Sequence, residues 1–335
     1  MHAAEFCHET PDGKIQCDLC SHFCRIMPGR SGICKVRSNI GGTLFSLNFG
    51  AALSPAAEPI ENMPLYHFMP GSTTWSFGAP GCNFTCANCQ EWQISRQAPD
   101  EPGIPFTPPE VVVENALRAG SRSISCTCTE PTVFAEYALE IMKLAKTAGL
   151  RCVWASNGYM SPNLLEAVGP WLDAVNIDLK SMDDAVYRRT CGARVEPVLG
   201  NLRRIAASGI HLEVTTLLIP GHSDSPGMLE RLAGFIACDL GHEVPWHLVP
   251  FSPVISRHMR DTPATPPASL ESAWTIGRKA GLWYIYCGKA HSDTVCPGCG
   301  HTAIERRPWS FGQPVVQLDD NGRCPSCHAS LSIKK

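Results

Sequence analysis

The sequence predicts an α/β protein: a partial (β/α)6 barrel of the TIM type with a small cysteine-rich, metal-binding appendage at each end. Three observations lead there. Strand-like and helix-like segments alternate about six times through the middle of the chain, which calls for a parallel sheet with right-handed crossovers. No G-x-G-x-x-G follows a strand, so a dinucleotide-binding sheet is disfavoured. The cysteines gather at the two ends and at one point inside the alternation. The implied division is 1–70 for the N-terminal cysteine-rich segment, 71–290 for the barrel, and 291–335 for a C-terminal zinc-ribbon-like segment.

The first core strand is 74–78. A helix is expected over 108–119, capped by Thr107 and stopped by Gly120. Strand 123–128 follows, then a helix within VFAEYALEIMKLAKTAG, whose apolar residues recur at helical spacing up to Gly149. Strand 151–157 precedes a short helix in NLLEAV. Strand 174–180 precedes a helix near 197–208, ended by Gly209. Strand 211–220 leads to a helix in MLERLAGFIACDL, strand 245–251 to one in SLESAWTIGRKAG, and 282–288 is the last strand.

Of the 335 residues, 44% are hydrophobic and 18% charged, with a formal net charge of −3. That balance calls for neither nucleic acid nor an anionic membrane surface as partner. No apolar run is long enough to span a bilayer, and the start MHAAEFCHETPDGK lacks the features of a secretory signal. A cytoplasmic protein is expected. In a reducing compartment, 18 cysteines, most of them clustered, read as metal ligands rather than disulfides.

GCNFTCANC places Cys82, Cys86 and Cys89 at C-x3-C-x2-C, just beyond the first core strand. In β/α barrels this is the end where chemistry sits. Three thiolates fall one short of a closed tetrahedral site. A 4Fe–4S cluster is usually held by four cysteines, so with three, one iron keeps an open face. The α-amino and α-carboxylate groups of S-adenosylmethionine form a chelate suited to that iron. The competing reading is a zinc knuckle with His67 as a distant fourth ligand.

CPGC and CPSC supply Cys296, Cys299, Cys324 and Cys327. Such paired knuckles make a tetrahedral four-thiolate site, commonly zinc, whose binding supplies folding energy to a segment too small for a core of its own. Cys17, Cys20, Cys24 and Cys34 read as one further closed site, for zinc or for an auxiliary iron–sulfur cluster. Cys126 and Cys128 alternate on a strand, and both are expected to face the barrel interior, as core thiols or as redox groups. Cys152, Cys191 and Cys238 are expected in the core. His291, His301 and His328, and also Arg188, Arg189, Arg257 and Arg260, read as surface residues.

GCNFTCANC resembles the cluster motif of the radical S-adenosylmethionine (SAM) superfamily. LYHFMPGS, GCNFTCANCQEW, TEPTVFAEY, SNGYMSP, VNIDLK, PGHSD and PWHLVPF follow the order of pyruvate formate-lyase-activating-enzyme-like members. With CDLC…GIC and CPGC…CPSC added, the chain most resembles the radical protein of the AmmeMemoRadiSam system. The resemblance implies a 4Fe–4S cluster on Cys82, Cys86 and Cys89, reductive cleavage of SAM, and hydrogen abstraction from a partner protein or small molecule. It implies an electron donor such as flavodoxin or ferredoxin, and Memo-like and AMME-region-like partners. It places Glu130 at the cofactor's amino group. Ser156 and Asn157 stand at the next strand end, within reach of its ribose or carboxylate, Lys180 is a clamp for its carboxylate, and Asp178 binds Lys180, a ribose or a cation. Plainer roles compete: a helix cap for Glu130, a turn for Ser156–Asn157, and an ion pair for Asp178 and Lys180. The sequence departs from the family at Asn88 (an aromatic elsewhere), Cys128 (usually Tyr) and Ser252 (often His). The competing functions are a glycyl-radical-enzyme activase and a non-catalytic, metal-stapled binding scaffold.

Overall fold

The computed structural model of the protein describes residues 1–96, 104–288, 291–306 and 314–335. An eight-stranded sheet in chain order forms its centre: β1 (Leu53–Pro59), β2 (Thr73–Gly78), β3 (Ser123–Cys126), β4 (Arg151–Ser156), β5 (Ala174–Asp178), β6 (His211–Leu218), β7 (Trp246–Pro250) and β8 (Ile285–Cys287). β1 runs antiparallel to β2; all later neighbours are parallel. The crossovers carry α1 (Pro109–Arg118), α2 (Ala135–Thr147), α3 (Pro162–Val168), α4 (Asp184–Cys191), α5 (Val195–Ser208), α6 (Pro226–Phe235) and α7 (Pro267–Lys279). β1 and β8 are the two edges of this sheet, so the barrel is partial and open.

The strands alternate in register with this architecture. Val175, Ile177, Val214, Trp246 and Leu248 belong to the main apolar core. Asn176, Asp178, Thr215, Leu217 and Val249 line a cavity instead. A period of two divides each strand between a helix-covered face and an interior face.

Several expectations are corrected. The helix after the first core strand has Pro108 at its N-cap with no side-chain cap. Thr107 stands outside it, its amide donating to Gly50. β3 ends at Cys126, which is 1% exposed. Cys128 turns off the strand at φ 61° and lines the cavity, so only one of this pair is a core thiol. Cys152 and Cys191 are buried, but Cys238 is exposed: α6 widens into a π-turn over Ile236–Leu240 that carries it outward. α4 was not anticipated. It is short, and Asp183 starts it by accepting from the amides of Ala185 and Val186. β1 lies within the 1–70 stretch yet pairs with the barrel sheet. The 290/291 boundary touches residues 289–290, outside the described residues.

Residues before β1 form two three-stranded antiparallel sheets of very short strands. They are tied to the barrel by a buried ion pair, in which the Arg37 guanidinium donates to both Glu136 carboxylate oxygens on α2. Burial alone would raise the Glu136 pKa, but Arg37 outweighs it and the net shift is downward. A depressed carboxylate adds stability that is complete above the unfolded-state pKa and is lost as pH falls through the folded value. Arg37→Ala leaves Glu136 as an uncompensated buried charge. It is expected to cost about 3–5 kcal/mol in denaturant unfolding at neutral pH, with a smaller penalty in acid.

The C-terminal segment pairs short strands Thr294–Val295, Thr302–Glu305 and Val315–Val316. It closes the end of the barrel opposite the strand C-termini. Phe68 bridges Lys334, and His67 Nδ1 lies 2.8 Å from the Leu331 carbonyl. Buried Glu213 on β6 accepts from the Tyr66 and His67 amides (3.0 and 2.7 Å) and from His211 and His247 (2.9 and 2.7 Å).

Candidate active site

A cavity of about 450 Å³ opens at the C-terminal ends of the strands. Cys82, Cys86 and Cys89 line it from the loop after β2, together with Glu130, Ser156, Asn157, Asp178 and Lys180. The fold therefore brings together every residue assigned to the cluster or the cofactor from sequence.

The cysteine loop is held by backbone bonds from two sides and by one side chain from a third. The Thr85 and Ala87 amides donate to the Cys191 and Thr190 carbonyls at 2.9 and 2.8 Å, at the end of α4. The His258 amide donates to the Ala87 carbonyl at 2.9 Å, and Arg96 donates to the Phe84 carbonyl. Gly81 lies at φ 101°, where a Cβ would come within 2.7 Å of Val36; only glycine suits this turn. Burial, with Glu130 second, pushes the Cys82 thiol up to about 12. Cys191 lies close enough to Cys86 to couple to it electrostatically, a neighbour that sequence spacing gave no sign of.

Glu130 follows β3 and is 1% exposed. It caps the next helical turn, accepting from the Thr132 amide at 3.0 Å and hydroxyl at 2.6 Å. It also accepts from Ser156 Oγ and the Asn157 amide, both at 2.8 Å. Cap and cavity roles thus coincide. Burial raises its pKa, and these donors offset part of the rise. Asn157 Nδ2 donates to Asn83 Oδ1 at 2.7 Å. The Ser156 and Asn157 side chains are thus engaged in fixing Glu130 and the cysteine loop. Lys180 Nζ lies 2.7 Å from Asp178 Oδ2. Burial opposes its charge, but Asp178, Cys86 and Cys191 hold its pKa well above the ordinary value.

Asn88 and Ser252 line the cavity in place of the family's aromatic and histidine. His247 does not replace the latter; it is buried against Glu213. His67 is also buried and bonded to Tyr286 and Leu331 at the barrel's far end, so it is no fourth ligand for the cysteine loop. Sequence reading passed over Thr215, which is 7% exposed and lines the cavity with an unpartnered Oγ1.

Residues 77–233 match the radical SAM superfamily model. An uncharacterized protein of Methanocaldococcus jannaschii is 37% identical over 340 residues, covering 99% of both chains. The chain belongs to the radical SAM superfamily. The isethionate sulfite-lyase activating enzyme of Nitratidesulfovibrio vulgaris is 28% identical over 124 residues, 36% of this chain and 39% of that enzyme. A solved domain of the pyruvate-formate lyase-activating enzyme from Bacteroides vulgatus aligns with 50% of this chain and 98% of its own, at 21% identity and TM-score 0.44.

Radical SAM membership implies a 4Fe–4S cluster and SAM, and the donor set fits both. All three thiols line one cavity, yet they are not gathered within 4.8 Å of one another as ligands of a single ion would be. Thiolates on separate irons of a cubane stand farther apart than that. The C-terminal four behave differently. Cys296–Cys327 and Cys299–Cys324 sulfurs lie 3.5 and 3.6 Å apart, and all four fall within 4.8 Å, the spacing of one tetrahedral ion. No helix among the described residues is long and apolar enough to cross a membrane.

Proposed function

We propose that this protein is an enzyme that reductively cleaves SAM and uses the resulting radical to abstract hydrogen from a partner protein or small molecule. The observation that carries the reading is one cavity that presents three separated thiols, a buried carboxylate and a lysine together. Cys82, Cys86 and Cys89 would hold the cluster, which would supply the one electron that cleaves SAM to methionine and the 5′-deoxyadenosyl radical.

The chain's own residues do the positioning. Glu130 accepts from the cofactor's ammonium by a charge-assisted bond, and Ser156 and Asn157 keep that carboxylate aimed. Lys180, held by Asp178, offers a cation to the cofactor's carboxylate. Thr215 Oγ1 offers a buried polar contact. The cavity wall bearing Glu58, Gln90, Glu91, Cys128 and Ser252 is left for substrate. The loop bonds to α4 and to His258 keep the three thiols in place before any ligand arrives. The C-terminal four-cysteine site is read as zinc, stapling the far end of the barrel. A low-potential carrier such as flavodoxin or ferredoxin is the electron source. An activase of glycyl-radical enzymes is the second reading, favoured by the activating-enzyme relatives. The wider chain likeness keeps Memo-like and AMME-region-like proteins as candidate partners.

Anaerobic incubation with SAM and dithionite tests this reading. Release of 5′-deoxyadenosine and methionine is expected; a reduced, cluster-loaded protein that leaves SAM intact contradicts it.

A further inference from the structure

The N-terminal cysteines are spaced unlike those at the C-terminus. Cys17, Cys20, Cys24 and Cys34 line one cavity of about 10 Å³, yet no three of their sulfurs lie within 4.8 Å of one another. A single tetrahedral zinc at about 2.3 Å per bond sets its sulfurs about 3.8 Å apart and leaves no room between them. The C-terminal four match that spacing at 3.5 and 3.6 Å. The N-terminal four surround a space that admits about one water-sized sphere. Thiolates on the separate irons of a cubane are likewise farther apart than those around one ion.

Two further observations point to a ligand in that space. Arg37 and Asn83, each 1% exposed, line the same cavity. Arg37 Nε and Asn83 Nδ2 are buried donors with no partner. An orphaned buried N–H is costly, and hydrogen bonds to cluster sulfurs are an accepted use for one. Apolar Leu19, Ile26 and Val133 complete the wall.

The cavity also abuts the radical-site loop. Asn83 directly follows Cys82, and its carbonyl accepts from His22 Nε2 at 2.9 Å. A Cβ on Gly81 would meet Val36 at 2.7 Å and the Cys34 carbonyl at 3.1 Å. The N-terminal site thus stands next to Cys82.

We propose that Cys17, Cys20, Cys24 and Cys34 hold a second iron–sulfur cluster, of the four-iron class, that relays electrons to the cluster on Cys82, Cys86 and Cys89. One electron from a low-potential one-electron carrier takes the second cluster from its 2+ to its 1+ state. The same electron leaves for the neighbouring cluster, returning the second to 2+, with no bond made and no proton moved. The relay rests on the radical-enzyme reading for its electron acceptor; the second cluster itself does not.

Anaerobic reconstitution followed by iron, sulfide and zinc analysis tests the site. The wild type is compared with a Cys82/Cys86/Cys89→Ala variant, which leaves the N-terminal four intact. About eight irons and one zinc per wild-type chain are expected, and about four irons in the variant, with an electron paramagnetic resonance (EPR) signal on reduction. A variant with no iron and two zincs overturns the second cluster while leaving the radical site standing. A variant that keeps all the iron of a four-iron wild type supports the second cluster and removes the radical site. For the relay, the reduced second-cluster signal relaxes faster in the wild type than in the variant, because two paramagnets are adjacent. A relaxation rate unchanged by loss of the triad overturns the relay.

Discussion

Replacing Cys82, Cys86 and Cys89 together by alanine is expected to abolish SAM cleavage and remove about four irons per chain. Among the described residues lining the SAM cavity, Cys128 is the one thiol outside the triad, too few for a comparable ligand set. The fold should survive. The loop's bonds to Thr190, Cys191 and His258 are made by backbone groups, and truncation leaves them in place. Unfolding curves that superimpose on the wild type, beside a loss of product below detection, are the expected pair of results. Cleavage persisting in the variant sinks the assignment of the open-iron site.

Glu130→Gln is the second large effect. The carboxylate accepts four hydrogen bonds, three at Oε1 and one at Oε2. An amide presents an N–H₂ to donors already fixed by Ser156, Asn157 and Thr132, and it offers no charge to an ammonium. A hydrogen bond to a charged group is worth about 1.5–3 kcal/mol, so SAM affinity should fall about 10- to 150-fold, read by anaerobic equilibrium dialysis. The wild-type carboxylate has a raised pKa because it is buried. Its binding of an ammonium therefore weakens, as pH falls, at a higher pH than for an ordinary carboxylate. That pH dependence should vanish in the glutamine variant. Equal affinity in both proteins would mean that Glu130 is only a helix cap.

The parts of this account legible in sequence are those whose residues are neighbours in the chain. C-x3-C-x2-C and CPGC…CPSC each carry their ligands on short segments, so spacing alone announces them. The alternation of strands and helices was legible because interior and helix-facing residues differ along each strand. What stayed hidden depends on distant segments. Thr190 and Cys191 reach the cysteine loop from α4, a helix too short and too polar for periodicity to reveal. Thr215 looks like any strand threonine until its hydroxyl is found without a partner. Cys128 does face the barrel cavity, but from a left-handed turn two residues past the end of β3 rather than from the strand. Cys238 was misread because an apolar helical pattern does not show where the backbone will widen. Ser156 and Asn157 were found, but their side chains hold Glu130 and Asn83, and spacing could not say so.

The most direct test is the EPR spectrum of the reduced cluster, taken on the signal that Cys82/Cys86/Cys89→Ala removes, with and without SAM carrying ¹⁵N in its amino group. An open iron that chelates the cofactor predicts a changed spectrum with nitrogen hyperfine coupling. A spectrum indifferent to SAM would show that no iron is left open, and the proposed function would fall with it.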